Sequence, residues 1–507
     1  MDVREVGVVG LGTMGAGIAE VFARAGFLVT AVEADPEALR RGMAVLDGSL
    51  RKAVSRGRLT GDEHAEIAGR VSQVQALASL DRADLVIEVV PEQLAIKHQV
   101  IAELDQALAP SAIIATNTSS LSVTAIAAGS AHPGRVVGMH FFNPATVMRL
   151  VEVVTTVLTE PKVAATVTDL AARLGKTPVR VTDRAGFVAN ALLLPYLNHA
   201  ARLFETRYAT RDDIDLAVTA GIGLPMGPLA LLDLIGLDTS LAILEVLERE
   251  FGGSRYIPAP VLRRMTDAGR TGRKSGAGFY DYQGGQPAAS GGPPAEDEPD
   301  LSPLPGTVTL IDPSHTDRAA DLASMMAAAG ISVTRNPAHA SDLVIVAIGP
   351  EGGVLGPASA AGRAEDAVGL HVPPAPDGEA GVAELVASPL TSDRALAAAR
   401  AVIAGLGRRA VRSADRPGLL TGALLLAHLR DAVAMVADGY ATPADVDTAM
   451  TLGCGYPRGP MRLLADAGLA EAVRVLTAMH AGYGDPAFSP PPLLREYAAG
   501  GLTFQRR

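Results

Sequence analysis

One histidine and one glutamate lie in two neighbouring apolar runs, and together they could move a proton. The runs 138–144 and 150–154 predict two short strands around a turn that carries Asn143-Pro144. His140 ends the first strand and Glu152 lies inside the second. A carboxylate in an apolar strand is costly without a partner, and a histidine oriented by a carboxylate can act as a general base. A structural histidine beside a solvated glutamate would show the same pattern, so a second signal is needed.

That second signal is a glycine-rich turn at the start of the chain. An apolar run over 5–10 leads into Gly10-Leu11-Gly12-Thr13-Met14-Gly15, a helical pattern follows, and a second strand is predicted over 27–32. Gly10 allows the tight turn, Gly12 lets the backbone approach a diphosphate, and Gly15 packs the helix on the strand. The helix N-terminus, where Thr13 and Met14 lie, suits the anion. The unit predicts a dinucleotide site.

Glu33 ends the second predicted strand and indicates which dinucleotide fits. Its carboxylate is placed to accept a hydrogen bond from a ribose 2′-hydroxyl and would repel a 2′-phosphate. The following residues, Ala34-Asp35-Pro36, offer no arginine. NAD is therefore favoured over NADP.

Length and composition favour an ordinary multidomain protein that acts on small molecules. A chain of 507 residues predicts about three domains. The net charge of −11 argues against nucleic acid and anionic membranes as partners. No continuous apolar run has the length of about 18 residues that a membrane span requires, and the first strand begins too early for a signal peptide. Cys454 is the only cysteine, so disulfides within the chain and a cysteine-based metal site are not expected. A cytoplasmic protein is the default expectation.

The second half of the chain partly repeats the first. Residues 174–237 align without a gap with residues 406–469, so that Asp183-Arg184-Ala185-Gly186 meets Asp415-Arg416-Pro417-Gly418. Both copies are helical by pattern, which predicts a duplicated helical domain. We expect the two copies to pack together as an internal pseudo-dimer.

The segment between the copies predicts a reduced counterpart of the first domain. Strands are expected over 307–311 and 343–348, but Asp312-Pro313-Ser314-His315 stands where a glycine turn would be needed. The same offset places Glu384 opposite Glu152 and Val372 opposite His140, with His371 one step away. We therefore expect this segment to keep the fold of the first domain and to lack its nucleotide-binding and catalytic residues. The predicted domains are 1–182 (nucleotide-binding α/β), 183–283 (helical), 284–305 (linker), 306–410 (degenerate α/β) and 411–507 (second helical).

The chain resembles the L-3-hydroxyacyl-CoA dehydrogenase family, including the bacterial 3-hydroxybutyryl-CoA dehydrogenases. The resemblance covers residues 5–283 closely and extends to 411–470. It is carried by the glycine turn and by five further motifs, namely Asn117-Thr118-Ser119-Ser120-Leu121, His140-Phe141-Phe142-Asn143-Pro144, Leu150-Val151-Glu152, Gly186-Phe187-Val188-Ala189-Asn190 and Lys274-Ser275-Gly276-Ala277-Gly278-Phe279-Tyr280. The two-repeat layout is similar to forms associated with phenylacetate catabolism.

The resemblance implies a Rossmann-type NAD-binding domain followed by an all-α domain, and it implies site roles. His140 would take the proton from the 3-hydroxyl, Glu152 would orient His140, and Ser119 and Asn190 would hydrogen-bond the substrate oxygens. The chemistry of a developing alkoxide agrees with those roles.

Further residues are assigned to cofactor and coenzyme A by the same resemblance. Glu92 and Lys97 would form an acid–lysine pair near NAD, although a solvated helix lysine is the alternative. Asn117 and Asn143 would lie at the cofactor, although Asn143 could be a plain turn residue. A helical arm that carries Ser49, Lys52 and Arg56 would meet coenzyme A, although a charged helix face is the alternative.

The family pairs its helical domains between subunits, so a homo-oligomer is a further expectation. The leading function is NAD-dependent oxidation of an (S)-3-hydroxyacyl-CoA, of 3-hydroxybutyryl or 3-hydroxyadipyl type, to the 3-oxoacyl-CoA. Two alternatives stay open: a dehydrogenase for a hydroxy acid without coenzyme A, and a dinucleotide-binding protein whose catalysis has lapsed.

Overall fold

The computed structural model describes residues 3–283, 286–287, 304–313, 317–336, 338, 341, 343–376 and 380–505. The predicted linker 284–305 and the Ser314-His315 part of the second turn lie almost entirely outside the described residues. The chain forms two compact units, the first with residues 1–191 and 438–455 and the second with residues 192–437 and 456–507.

The first unit is built on an eight-stranded sheet in the order β3-β2-β1-β4-β5-β6-β7-β8. Neighbouring strands are parallel except β6 and β7, which are antiparallel. The strand order reverses beside β1, which is the place where such sheets bind nucleotides. The strands are β1 (Glu5–Val9), β2 (Leu28–Val32), β3 (Val71–Val74), β4 (Leu85–Glu88), β5 (Ile113–Thr116), β6 (Val136–Phe141), β7 (Leu150–Thr155) and β8 (Thr177–Thr182).

Helices cover both faces of this sheet, and this accounts for the unbroken apolar strands, because a parallel sheet is buried on both sides. Phe22 of α1, Leu46 of α2 and Val167 of α6 pack on one face. Ile101 of α4 and Ile126 of α5 pack on the other. The helices are α1 (Thr13–Arg24), α2 (Pro36–Ser55), α3 (Gly61–Gly69), α4 (Leu94–Ala107), α5 (Val123–Ala127) and α6 (Pro161–Arg173).

The first helical repeat follows the sheet. It contains α7 (Ala189–Glu205), α8 (Arg211–Leu216), which continues into a π-helical turn (Ala217–Ile222), α9 (Pro228–Ile235), α10 (Leu237–Phe251) and α11 (Pro260–Asp267). A short strand pair, β9 (Tyr282–Gln283) and β10 (Gln286–Pro287), comes after it.

The second unit contains a smaller sheet of six strands in the order β12-β11-β13-β14-β15-β16. Its fourth and fifth strands in this order, β14 and β15, are antiparallel like β6 and β7. Among the described residues, no strand stands between β13 and β14 as β5 stands between β4 and β6. The elements are β11 (Thr307–Ile311), α12 (Asp317–Ala328), β12 (Ser332–Thr334), β13 (Val344–Ala347), α13 (Leu355–Ala360), β14 (Ala367–His371), β15 (Val382–Ala387), α14 (Asp393–Gly405) and β16 (Arg409–Ala414).

The second helical repeat contains α15 (Leu419–Ala437), α16 (Pro443–Cys454), α17 (Pro460–Ala467), α18 (Leu469–Tyr483) and α19 (Pro492–Ala499). Within the second unit the two helical repeats contact each other. The Tyr196 and His428 rings are 5.0 Å apart, and the Ser254 hydroxyl donates to Asp485 at 2.8 Å.

Helix α15 is the one described helix that is long and apolar enough to cross a membrane. The helical pattern of the second repeat predicts this helix, and His428, Arg430 and Asp431 interrupt its apolar residues, so that it contains no continuous apolar run of about 18 residues. Two-thirds of its most apolar window (67%) is buried against the rest of the chain, as in the core helix of a protein that does not span a membrane.

Candidate functional site

His140 and Glu152 face each other across β6 and β7. They are cross-strand partners in the antiparallel pair, and Nδ1 of His140 is 2.7 Å from Oε2 of Glu152. The carboxyl group is completely buried and the histidine is 5% exposed. An ionised carboxylate can only accept, so Nδ1 carries the proton and Nε2 keeps its lone pair. The pair therefore has the tautomer that a general base needs.

The second oxygen of Glu152 is fixed by the start of α7. The backbone N–H groups of Val188 and Ala189 both donate to Oε1 at 3.0 Å. Gly186 and Phe187 lead into these donors with positive φ angles of 72° and 49°. For phenylalanine that conformation costs energy, on the order of 1–3 kcal/mol, which the surrounding packing must offset. The Phe187 ring lies 5.5 Å from the His140 ring, so the same turn also packs on the base.

Ser119 and Asn190 come together at the same end of the sheet. The side-chain amide of Asn190 lies 3.5 Å from the backbone oxygen of Ser119, and both residues are partly exposed. Asn117 accepts the backbone N–H of Phe141 at 2.8 Å and thereby ties β5 to the end of β6 beside His140. The polar groups that the sequence predicted at this site are thus side by side.

Glu92 holds the loop that carries Ser119. Its Oε1 accepts the hydroxyl of Thr118 at 2.5 Å and the N–H groups of Ser119 and Ser120 at 3.0 Å each. Burial acts to raise the pKa of Glu92, but the Lys97 charge and these hydrogen bonds outweigh it, so the pKa lies below its ordinary value. Glu92 is therefore a charged anchor for the loop.

Lys97 is buried, so the solvated helix lysine considered from the sequence is wrong. Its side chain is 1% exposed, and Nζ lies 2.8 Å from Oε1 of Glu88 and 3.4 Å from Oε2 of Glu92. Glu88, at the end of β4, was not singled out from the sequence, yet it is the nearer partner and is completely buried. Thr116 donates a further hydrogen bond to Glu88 at 2.8 Å.

The glycine turn has the geometry that a diphosphate requires. Gly10 has φ of 93°, and a Cβ there would meet the Val89 carbonyl oxygen at 2.7 Å. A Cβ on Gly15 would lie 1.9 Å from the Gly10 oxygen, so helix and strand are in close contact. A Cβ on Gly12 would meet nothing within 4 Å, which leaves open space where a ligand can approach the backbone. Thr13 and Met14 begin α1 at this opening.

A cleft of about 940 Å³ extends from the glycine turn along the sheet edge. Gly10, Gly12, Glu33 and Ala34 line it. Oε2 of Glu33 accepts the Leu11 N–H at 3.1 Å, which holds the carboxylate beside the turn. A dinucleotide fits these groups, because N–H groups at a helix start suit a diphosphate and a carboxylate suits a ribose hydroxyl.

The remaining predicted residues lie on the surface of the first unit. Ser49 and Lys52 are on α2 and Arg56 caps its C-terminal end; Lys52 and Arg56 are exposed. Asn143 is also exposed, in the turn after β6. The structure brings none of these four into contact with the His140–Glu152 pair.

The second sheet has a counterpart of the pair with different partners. Its strand register sets His371, and not Val372, opposite Glu384, which corrects the residue offset taken from the sequence. Glu384 accepts the N–H groups of Leu420 and Thr421 and also the Thr421 hydroxyl. Burial raises the pKa of Glu384 and, with the Arg318 charge, lowers that of His371 to about 4.

Family models match the first α/β domain and both helical repeats of this chain. Residues 5–184 match the NAD binding domain of 3-hydroxyacyl-CoA dehydrogenase, and residues 186–282 and 418–505 match the C-terminal domain of that enzyme. The helical domain is thus matched twice, as the sequence repeat predicted.

Individual relatives match over the whole chain or over its first half. The 3-hydroxyadipyl-CoA dehydrogenase of Escherichia coli K12 is 34% identical over 98% of both chains. A 3-hydroxybutyryl-CoA dehydrogenase of Mycobacterium tuberculosis is 46% identical over 55% of this chain and 99% of its own. A crystal structure of 3-hydroxybutyryl-CoA dehydrogenase from Escherichia coli K12 superposes with a TM-score of 0.80, at 32% identity, over 98% of this chain and 99% of that one.

Proposed function

Because the chain belongs to the 3-hydroxyacyl-CoA dehydrogenase family and is an NAD-dependent oxidoreductase, we propose that it oxidises (S)-3-hydroxyacyl-CoA thioesters to 3-oxoacyl-CoA with His140 as the base. The observation that carries the proposal is the 2.7 Å contact between Nδ1 of His140 and the buried carboxylate of Glu152. That contact leaves Nε2 free to accept the proton of a secondary alcohol.

The residues around the pair fit the charge changes of that reaction. When bound, NAD accepts the hydride that leaves C3. As the hydroxyl proton passes to Nε2 of His140, the imidazolium that forms is stabilised by Glu152. Ser119 and Asn190 are placed to donate hydrogen bonds to the substrate oxygens, where negative charge develops. Glu92 supports this arrangement by holding the loop of Ser119.

The cofactor would lie on the glycine turn. The N–H groups at Gly12, Thr13 and Met14 would hold the diphosphate, and Glu33 would accept from the adenosine ribose. The cluster of buried Lys97 and Glu88 with the exposed Glu92 lies at the end of β4, next to Val89 and Val90 of the same cleft. We place the nicotinamide half of the cofactor on this side, together with Asn117.

For the acyl group we propose short 3-hydroxyacyl chains of butyryl or adipyl type. The full-length relative is named for 3-hydroxyadipyl-CoA and the half-length relatives for 3-hydroxybutyryl-CoA. Ser49, Lys52 and Arg56 supply donors and positive charge on one helix face for the phosphates of coenzyme A. Substituting Lys52 and Arg56 together by glutamine should raise KM for the thioester and leave kcat unchanged.

The test is NADH formation at 340 nm with (S)-3-hydroxybutyryl-CoA, (S)-3-hydroxyadipyl-CoA and free 3-hydroxybutyrate, each with NAD and with NADP. We expect turnover of a thioester with NAD that is lost in His140→Ala. Turnover of the free acid alone would favour a substrate without coenzyme A. Tight NADH binding without turnover of any of the three would favour a lapsed enzyme.

A further inference from the structure

A short piece of the second helical repeat belongs to the first compact unit. Residues 438–455, which include α16, group with residues 1–191, whereas the rest of the second repeat does not. Helix α16 packs on β7 and β8. The Tyr440 hydroxyl donates to the Thr182 carbonyl oxygen at 2.9 Å. Arg184 lies 3.5 Å from the Asp438 carboxylate, and its guanidinium is 5.0 Å from the centre of the Tyr440 ring.

The C-terminal end of α16 lies close to residues that neighbour His140. A Cβ on Gly453 would lie 2.5 Å from Cδ2 of Leu150 and 3.3 Å from Cε1 of Phe142. The Phe142 ring is 4.6 Å from the His140 ring. Leu150 begins β7, the strand that carries Glu152. A Cβ at position 453 would require the flexible end of the Leu150 side chain to move and the Phe142 ring to shift by a few tenths of an ångström.

The first repeat makes the reciprocal contact in the second unit. Gly221, which the repeat aligns with Gly453, would place a Cβ 2.9 Å from Val382 and 3.0 Å from Thr421. Val382 begins β15, the strand that carries Glu384, as Leu150 begins the strand that carries Glu152. Each helical repeat therefore covers the glutamate-bearing strand of the other half of the chain.

We propose that Gly453, at the end of α16, is a positioning residue for His140 and acts through Phe142. A helix from the second half of the chain thereby packs beside the candidate site of the first half. The His140 ring lies 4.6 Å from the Phe142 ring and 5.5 Å from the Phe187 ring. A side chain at position 453 would displace Phe142, which packs on the base. Because a misplacement of about 1 Å at a reacting group can cost about a hundredfold in rate, a smaller shift of the base should still lower kcat.

The inference rests on the proposed dehydrogenase reaction, and a matched pair of variants in the full-length chain tests it. Gly453→Val and Gly221→Val add the same atoms at equivalent places, one beside Phe142 and one beside Thr421. We expect Gly453→Val to lower kcat about tenfold or more, with KM for the thioester and the NADH dissociation constant unchanged. Gly221→Val should keep wild-type kcat. Gly453→Ala should show a smaller loss in the same direction, and it serves if the valine variant fails to fold.

A compensating change and a spectroscopic signal separate positioning from general loss of stability. Phe142→Leu should restore part of the kcat of Gly453→Val, because it shortens the side chain that valine displaces. The low-field proton signal of His140 Nδ1–H, assigned by its loss in His140→Ala, should move in Gly453→Val and stay in Gly221→Val. This signal does not depend on turnover.

The outcomes distinguish the two ideas. If the wild-type protein turns over a thioester, either of two results overturns the positioning role and leaves the proposed function standing. One is an equal kcat in the two valine variants, and the other is an unmoved His140 signal in Gly453→Val. A wild-type protein that turns over no thioester overturns the proposed function, and only the shift of the His140 signal would then support the structural contact.

Discussion

Replacing Glu152 by glutamine keeps the shape of the site and removes the charge that orients His140. The amide oxygen of glutamine can still accept the N–H groups of Val188 and Ala189, which lie 3.0 Å from Oε1 of Glu152. The amide nitrogen then faces Nδ1 of His140, which is 2.7 Å from the other carboxylate oxygen. Because an amide N–H donates, Nδ1 must become the acceptor and the proton moves to Nε2. The variant holds the tautomer that cannot accept a proton from the substrate.

The expected loss of kcat follows from the loss of His140 as a general base. General base catalysis contributes about 10²–10⁴ in rate, and loss of the orienting carboxylate in a comparable histidine–carboxylate pair costs about 10⁴. We expect kcat to fall by about 10³–10⁴, which is about 4–5 kcal/mol of transition-state stabilisation at 1.36 kcal/mol per tenfold. KM for the thioester should change little, because the completely buried carboxylate makes no ground-state contact with substrate.

The assay is steady-state NADH formation with the preferred thioester, together with NADH binding followed by fluorescence. Glu384→Gln is the matched control, since Glu384 occupies the same register position in the second sheet and also accepts two N–H groups at a helix start. The control should keep wild-type kcat. A Glu152→Gln variant with kcat within about tenfold of wild type would refute the tautomer argument, because the base would then work without its carboxylate.

Three further perturbations test other parts of the structure. Lys97→Met leaves the buried Glu88 without its 2.8 Å partner and should destabilise the protein by about 3–5 kcal/mol in urea unfolding, whereas Lys162→Met on the surface should have no measurable effect. Glu33→Ala should raise the dissociation constant for NADH about ten- to hundredfold, and the dissociation constant for NADPH should stay the same or fall. An equal loss of affinity for the two dinucleotides would contradict the ribose contact. Burial lowers the pKa of His428 to about 4, which favours its neutral form in the folded state. As the pH falls below about 6.5, the unfolded state therefore takes up the proton first. Wild type should therefore lose about 2 kcal/mol between pH 7 and pH 5 that His428→Phe does not lose, and identical pH profiles of the two unfolding free energies would contradict that assignment.

Local features of the site could be predicted from the sequence because they depend on neighbours in the chain. The glycine turn is such a case, since φ of 93° at Gly10 and the open space at Gly12 follow from residue types within one short motif. The His140–Glu152 contact was predictable for a similar reason, because a hairpin sets the register of two adjacent strands.

Features that depend on strand order were not predictable in the same way. Glu88 ends β4, Thr116 ends β5 and Lys97 lies on the helix between them, so their cluster forms only once the two strands are side by side. The sequence showed Glu88 merely as the end of an apolar run. The contact of Gly453 with Phe142 is still more remote, because the repeat predicted that the helical copies pair but did not predict which sheet each copy would cover.

The buried glutamates of the two halves of the chain, Glu152 and Glu384, have different hydrogen-bond partners. In the first half Glu152 accepts two N–H groups and one histidine proton, and in the second Glu384 accepts the two equivalent N–H groups and the Thr421 hydroxyl. The turn that presents those donors has the same strained form in both halves, since Phe187 and its repeat partner Leu419 have φ angles of 49° and 47°.

Because no described strand of the second sheet corresponds to β5, which leads into the loop of Ser119 in the first, its strained turn and buried carboxylate belong to the scaffold. The carboxylate joins a helix start to a strand, because Oε1 accepts the N–H and the hydroxyl of Thr421 and Oε2 accepts the N–H of Leu420. What distinguishes the first half is therefore the identity of the third donor. In the first half the carboxylate oxygen that accepts no N–H group from the helix start accepts the His140 proton, and the proposed reaction depends on that contact.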